Sequence, residues 1–454
     1  MDRKEFISRL FDRARQRAGE AADFACEACY SESDSFEVQV KNGEIYQYNV
    51  SDGGGLGFRA LVNGRMGYAS TQILDEDAID LLVDGALENA AVVESEDRQF
   101  LFPGSERYPK LKLFDPALDA IGAAEKIEMA RKLEKLTLAR DARIAQVEDC
   151  AVFYARSESG IVNTLGLDVT EKSNLLGGYV VAVAREGEKV NTGFRLFTAM
   201  KPEDIDLEKT ATLAAEEALS GLDAAQAASS SYRVLLRNDV AAALLQTFGG
   251  VFSAENAQRG LSRLKGREGE RVAADCVTLM DDPHRPDSAS SASFDGEGVA
   301  TFPKAVIENG VLKTLLHNLK TAHKQGVQTT ANASRPGYAA PVGVAPSNFC
   351  IRPGEADFDG MLEKLGEGLL ITDLQGMHAG ANPITGDFSL AAKGFAVHGG
   401  KRAGAVNQIT VAGNFYELLL GIEAVGADFE FQYPGASCFG SPSLLVEKLS
   451  VAGA

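Results

Sequence analysis

The chain alternates between two hydrophobic periods. Over residues 2–18, Phe6, Ile7, Leu10, Phe11 and Ala14 recur at helical spacing, and Gly19 supplies a stop. From Asp23 to Ser70 the period drops to two. Phe36, Val38 and Val40 alternate with polar residues, which predicts strands with one buried face. Asn42-Gly43 and Asn63-Gly64 divide this stretch. Asn-Gly suits the two positive-φ positions of a tight hairpin turn. The run Gly53-Gly54-Gly55-Leu56-Gly57 lies between strands and not before a helix, so it reads as a bulge or hairpin crossing instead of a phosphate loop. Residues 75–92 return to helix, with Asp75, Glu76 and Asp77 in the first turn, where they complement the helix dipole.

Phe102-Pro103-Gly104 reads as a linker. Asp115 opens a second long helix predicted to reach about Asp141. Strands are predicted over 144–155, 161–172, 175–185 and 190–197, with turns near Gly160 and Gly187. Helix-then-hairpins thus occurs twice, which indicates two related modules. A helix over 203–220 ends at Gly221, and the Ala- and Ser-rich stretch 224–231 marks a boundary. A strand at Tyr232–Leu236 leads into a helix from about Asp239. A hairpin around Asn309-Gly310, a helix over Leu315–Gln325 and glycine-rich apolar strands follow. Helices and antiparallel hairpins in separate runs predict an α+β class: helix-plus-hairpin modules, then a mixed C-terminal domain rich in antiparallel sheet.

Composition narrows the function. The 454 residues carry 45 Lys plus Arg against 64 Asp plus Glu, a net charge of −19, which argues against a surface built to track nucleic acid. No apolar run is long enough for a membrane span, and the first residues have no signal-peptide core. Six scattered cysteines suit a reducing compartment, so a cytoplasmic location is expected. Cys26 and Cys29 form a lone CxxC on a predicted strand, without the second pair of a zinc ribbon, and read as structural.

Candidate chemistry is sparse. His317 and His323, on one predicted helix, would point about 120° apart and could not share an ion. His284 falls in a turn-like surface segment, His378 lies beside Asp373, and His398 ends a strand. GxSxG, GxxxxGK[ST] and HExxH are absent. The loop Gly380–Asp387 combines small residues, Pro383 and polar groups. It suits either close approach of another backbone or a tight surface turn. A self-sufficient hydrolase would draw on an unrecognised site such as Asp373, His378 and Cys438.

Several stretches together resemble the PmbA/TldD family, and more closely its PmbA (TldE) branch. The carriers are Gly368-Leu369-Leu370-Ile371-Thr372-Asp373-Leu374-Gln375-Gly376, Ile384-Thr385-Gly386-Asp387-Phe388-Ser389, Ala391-Ala392-Lys393-Gly394-Phe395 and Ile409-Thr410-Val411-Ala412-Gly413-Asn414. Lys41-Asn42-Gly43-Glu44 and Gly55-Leu56-Gly57-Phe58-Arg59 add to them. The resemblance implies three regions, taken here as 1–108, 109–228 and 229–454. It also implies a two-subunit zinc protease, acting on unfolded peptides, in which the TldD branch carries the metal on an HExxxH helix. Registered on Leu244-Leu245, this chain has Gln246 and Val251 at the two His positions and Thr247 at the Glu. Valine offers zinc no lone pair, and threonine is no general base near neutral pH. The TldD branch also uses a late cysteine as ligand; Cys438 sits late, but without the histidines it reads as buried and inert. The expectation is a non-catalytic or regulatory subunit with no cofactor of its own, its zinc lying in a TldD-type partner. Asp373, His378, Thr385, Asp387 and Cys438 are candidate peptide-channel residues, and the edge strands near Gly380–Asp387 are the candidate peptide-binding surface. The alternatives are a self-sufficient metallopeptidase and a homodimeric peptide-binding module. No nucleic-acid or membrane partner is expected.

Overall fold

The computed structural model describes residues 1–19, 23–94 and 97–454. The N-terminal half contains helix α1 (Arg3–Ala18), strands β1 (Phe24–Lys41), β2 (Glu44–Val62) and β3 (Arg65–Thr71), and helix α2 (Glu76–Val92). After a short α3 (Pro116–Asp119) the same order returns: α4 (Ala123–Leu138), β4 (Ile144–Asn163), β5 (Asp168–Glu186), β6 (Lys189–Ala199) and α5 (Leu207–Ser220). The six strands form one antiparallel sheet in the order β3-β2-β1-β4-β5-β6, so the two hairpin sets meet at the β1–β4 pair.

The sheet's two faces have different partners, as strand alternation requires. Even-numbered residues of β1 face the helices. Cys26, Ala28 and Tyr30 pack with Phe6, Leu10, Ile79 and Leu82, while Phe36, Val38 and Val40 pack with Ala130, Leu133 and Ala214. The opposite face meets the C-terminal half. Tyr338 lies across β2, and a Cβ on Gly57 would sit 1.8 Å from its carbonyl oxygen. The glycine run is therefore neither bulge nor crossing. β2 runs in register through it, and Gly55 and Gly57 are small because another segment rests on them.

The three Asn-Gly turns form as expected, with both residues at positive φ in each. Three other expectations fail. The helix opened by Asp115 stops at Asp119 and restarts after Gly122, because Asp115 and Gly122 cap two separate helices. Gly160 is no turn; it lies within β4, where a Cβ would meet the Tyr30 ring at 2.4 Å, and the reversal comes at 164–167 instead. The predicted helix over 315–325 begins only at Leu319, capped by Asn318. His317 therefore precedes it, buried, with burial lowering its pKa and Nδ1 unpartnered.

The C-terminal half begins with β7 (Ser230–Leu236), α6 (Asn238–Phe248) and α7 (Ala254–Gln258). β8 (Leu279–Asp281), β9 (Lys304–Glu308) and β10 (Val311–Leu312) precede α8 (Leu319–Gln325). A two-residue ladder joins β11 (Ala333–Ser334) to β12 (Gly343–Val344), and β13 (Asn348–Ile351) leads to α9 (Phe358–Leu365). Next come β14 (Gly368–Gln375), α10 (Met377–Gly380), β15 (Asp387–His398), β16 (Lys401–Asn414), α11 (Phe415–Leu420), β17 (Ile422–Phe431) and β18 (Cys438–Ala452). β7, β14, β15, β16 and β18 close on themselves, because β18 pairs with both β16 and β7. The whole is α+β, with antiparallel hairpins in the first half and a mixed sheet in the second. No helix of the described residues is long and apolar enough to cross a membrane.

The two halves also share buried charge. Glu27 on β1 accepts from Arg59 Nε (2.9 Å) and from Arg335 Nη2 (3.2 Å) of the C-terminal half. Nearby, Asp295 accepts from the backbone N–H groups of Glu297, Val299 and Ala333, and Glu297 accepts from that of Leu319. Burial pushes Asp295 up to about 6 and Glu297 up to about 7, and Asp295 adds repulsion on Glu297.

Candidate functional site

Helix α6 follows β7 directly. Val240, Ala241, Leu244, Leu245 and Phe248 form its buried stripe, at the spacing that faces one side of a helix into a core. A 3₁₀ turn over Gly249–Phe252 extends it. Gln246 lies on the exposed side. Thr247 Oγ1 donates to the carbonyl of Ala243 at 2.9 Å. Val251 is 1% exposed within the apolar core. Around it Phe248 stacks on Phe415 at 4.7 Å, and Phe252, Phe349 and Phe439 meet edge to face. Gly249 leaves room for the Phe439 ring, which a Cβ there would meet at 2.6 Å. Cys438 is buried, with its sulfur 3.1 Å from Ser290 Oγ.

A zinc ion needs converging lone pairs. Here the amide faces solvent, the hydroxyl is committed to the backbone and the third position is an isopropyl group in an aromatic core. The donor set does not fit zinc. Among the described residues, no group of three or more His, Cys, Asp and Glu converges as a metal site would require.

A cleft of about 550 Å³ opens at the other end of α6, between α5 and β6 on one side and β14, β15 and β16 on the other. Arg237, immediately before α6, organises its floor. It donates to Glu217 (2.9 Å), to Asp239 (2.6 Å) and to the carbonyl of Thr372 (2.7 Å). Arg195 pairs with Glu217 at 2.6 Å. Burial alone would lower the Arg237 pKa, but the carboxylates of Asp239 and Glu217 raise it above its ordinary value. Behind this network burial raises the Glu430 carboxyl, with Asp239 adding to the shift.

The cleft wall is irregular where it is polar. The β14–β15 pairing skips Thr372, and the β15–β16 pairing skips Lys393. Such bulges re-aim side chains and recur beside functional sites. They place Asp373 opposite Lys393 in the cleft, with Asp373 also accepting from Gln375 Nε2. The Arg402 guanidinium lies over Phe358 and Phe395.

The remaining candidates are dispersed. Thr385 and Asp387 are drawn together by Asn414 Nδ2, which donates to the Thr385 carbonyl (2.9 Å) and to Asp387 Oδ1 (2.8 Å), holding the Asp387 pKa down. Asn382 accepts from the N–H groups of Ile384 and Thr385, so Gly380–Asp387 is a tight turn. The strands beside it offer no long free edge. β15 is paired with β16 and, from Ala391 onward, with β14; Ala381 bridges to Phe388 at its start. β14 also pairs with β7, so each of these strands has a neighbour on both sides and lacks the edge that peptide addition would need. His378 is exposed on α10, while Cys438 is buried on β18, and neither hydrogen-bonds to Asp373, whose side-chain partner is Gln375. His284 lies in a turn, as expected, and is half-buried, with its Nε2 3.1 Å from Thr301 Oγ1. Cys26 and Cys29 lie on opposite faces of β1, and burial pushes the Cys26 thiol up to about 12. Sequence reasoning assigned no role to Arg237, Lys393 or Arg402. The available signals were a lone lysine in an apolar strand and the polar break Arg237-Asn238-Asp239 between an apolar strand and an apolar helix.

This architecture, two helix-and-hairpin repeats against a closed mixed sheet, is that of a known class of metallopeptidase-related proteins. Models of PmbA/TldA metallopeptidase domain 1, central domain and C-terminal domain match residues 26–90, 116–222 and 229–453. Metalloprotease PmbA of Escherichia coli O157:H7 is 27% identical over 444 residues, covering 94% of this chain and 92% of that protein. A Thermotoga maritima structure, described as a proposed modulator of a DNA gyrase, is 36% identical with a TM-score of 0.90, covering 99% of this chain and all of that one. TldE of Thermococcus kodakarensis shares the fold, with a TM-score of 0.89 at 23% identity over 99% of this chain and all of that one. The chain belongs to the PmbA/TldD family.

Proposed function

We propose that this chain is a non-catalytic subunit of a zinc-dependent metallopeptidase of its own family, working with a TldD-type partner that carries the metal on unfolded peptide substrates. One observation carries the reading: α6 turns Gln246 to solvent, commits Thr247 to its own backbone and buries Val251 among aromatic rings. No water-activating ion is held by such a set, and no general base stands beside it. The chain contributes surface, shape and placed charge to the assembly. The gyrase wording attached to the Thermotoga structure does not extend to DNA binding here, because a net charge of −19 opposes a phosphate-tracking surface.

The test compares hydrolysis of a denatured protein by the pure chain, by a TldD-type relative and by the two mixed. The reading expects chelator-sensitive cleavage only where the HExxxH-bearing partner is present, and faster with both. Chelator-sensitive cleavage by the pure chain alone would overturn it.

A further inference from the structure

We propose that the cleft between α5–β6 and β14–β16 is a binding site for the carboxyl end of a short peptide, with Lys393 and Arg402 receiving the carboxylate. The proposal takes its peptide from the subunit reading, but the cleft itself stands on its own geometry.

Four cations line the cleft, and they are not equivalent. Arg195 and Arg237 are matched by Glu217 and Asp239 at ion-pair distance. Among the described residues, neither Lys393 nor Arg402 makes an ion pair or a side-chain hydrogen bond. Arg402 instead rests on the rings of Phe358 and Phe395, at 5.1 and 5.5 Å. Partial burial and the nearby Arg237 charge both lower its pKa. Asp359 and Glu216 offset part of this from beyond ion-pair distance, and a guanidinium held beside another guanidinium, with rings on its face and no carboxylate in contact, gains from an arriving anion.

The rest of the lining selects what carries that anion. Phe194 is 49% exposed at the cleft and offers an apolar surface. Asp373 and Glu216 add negative charge to the same walls. Cation, aromatic and acid together suit a ligand with a carboxylate, an apolar side chain and backbone or terminal N–H donors. That description fits a peptide end better than inorganic phosphate, which carries more negative charge towards the same acids and offers them no N–H donor and the ring no apolar surface. The volume lies within the range of small-ligand pockets. The site is also preorganised: Arg237 holds the Thr372 carbonyl at the bulge, and the facing bulge presents Lys393.

The experiment is calorimetric titration of the full chain with tetrapeptides of one apolar sequence, as free acids and as C-terminal amides, with inorganic phosphate as control. The free acid is expected to bind at least tenfold more tightly than the amide, and phosphate weakly or not at all. Lys393→Met and Arg402→Gln should each weaken the free acid severalfold while leaving the amide unchanged. Equal binding of acid and amide, no binding of either, phosphate binding as tightly as peptide, or wild-type affinity in both variants would each overturn the proposal. The acid–amide comparison uses the unaltered chain, so it holds even if a variant folds poorly. None of these results bears on where the zinc lies, so this site and the subunit reading can fail separately.

Discussion

The buried carboxyl pair at the junction of the two halves should give this protein an inverted pH response. Most acids paired in a folded chain stabilise it as pH rises. Here Glu297 is held up at about 7 and Asp295 at about 6, from ordinary values of 4.5 and 3.8, chiefly because burial disfavours their charge. A raised carboxyl pKa means the folded state keeps a proton that the unfolded chain has released. The stabilising contribution is therefore complete below about pH 4 and is lost as pH rises through about 6 to 7. Carrying Glu297 from 4.5 to about 7 costs the folded state on the order of 3 kcal/mol by pH 8, at about 1.4 kcal/mol per tenfold change in proton affinity. Part of that shift is repulsion from Asp295, so the two contributions do not add. Arg59 and Lys304 offset some of the charge, while Glu27 opposes its relief. Glu297→Gln keeps an acceptor for the Leu319 N–H and removes the titration. Urea unfolding from pH 5 to 8, read by fluorescence and by hydrogen exchange at β1 and β2, compares the variant with the parent chain. The variant should gain about 1–3 kcal/mol on the parent at pH 8, with the difference shrinking towards pH 5. A variant that is less stable at pH 8, or that shows the same pH slope as the parent, would refute the reasoning.

Other perturbations separate packing from chemistry. Gly57→Ala would drive a methyl into the Tyr338 carbonyl and should lower stability by about 2 kcal/mol or more, whereas Gly53→Ala, with nothing within 4 Å, should change it little; paired melting curves decide. Phe248→Ala removes a ring stacked on Phe415 and should cost about 3–5 kcal/mol in chemical denaturation, with peptide affinity at the distant cleft unchanged. Arg237→Ala leaves Glu217 and Asp239 to share Arg195 alone and frees the Thr372 carbonyl, so about 2–4 kcal/mol should be lost. Arg237→Lys should recover only part of that in the same assay, because an ammonium cannot reproduce the forked contacts.

Local rules made much of this fold legible. Each Asn-Gly pair became a turn because few other dipeptides tolerate two positive φ values, and α1 and α2 began at Asp2 and Asp75 because those side chains cap them. The errors came where a distant segment decides. Gly160 and Gly57 looked like punctuation, but they are small because Tyr30 and Tyr338 lie against them from far along the chain. The break at Gly122 was hidden by continuous helical spacing on both sides. At the site, the identities of Gln246, Thr247 and Val251 were plain in the sequence, but which way α6 turns each of them was not. Closure of β18 onto β7 was not readable, since it depends on pairing between remote strands; nor was the interior place of β14 and β15, which denies Gly380–Asp387 a free edge. The cleft needed four separate segments brought together, and no spacing within one segment announces that.

The subunit reading turns on metal more than on any contact. The most direct measurement is the zinc content of the purified full chain after equilibration with excess zinc and removal of free ion, determined by mass spectrometry and repeated on its complex with a TldD-type relative. The account predicts well under one zinc per molecule for the chain alone and about one per complex. One tightly held, chelator-removable zinc in the isolated chain, lost when Gln246 or Cys438 is replaced by alanine, would contradict it.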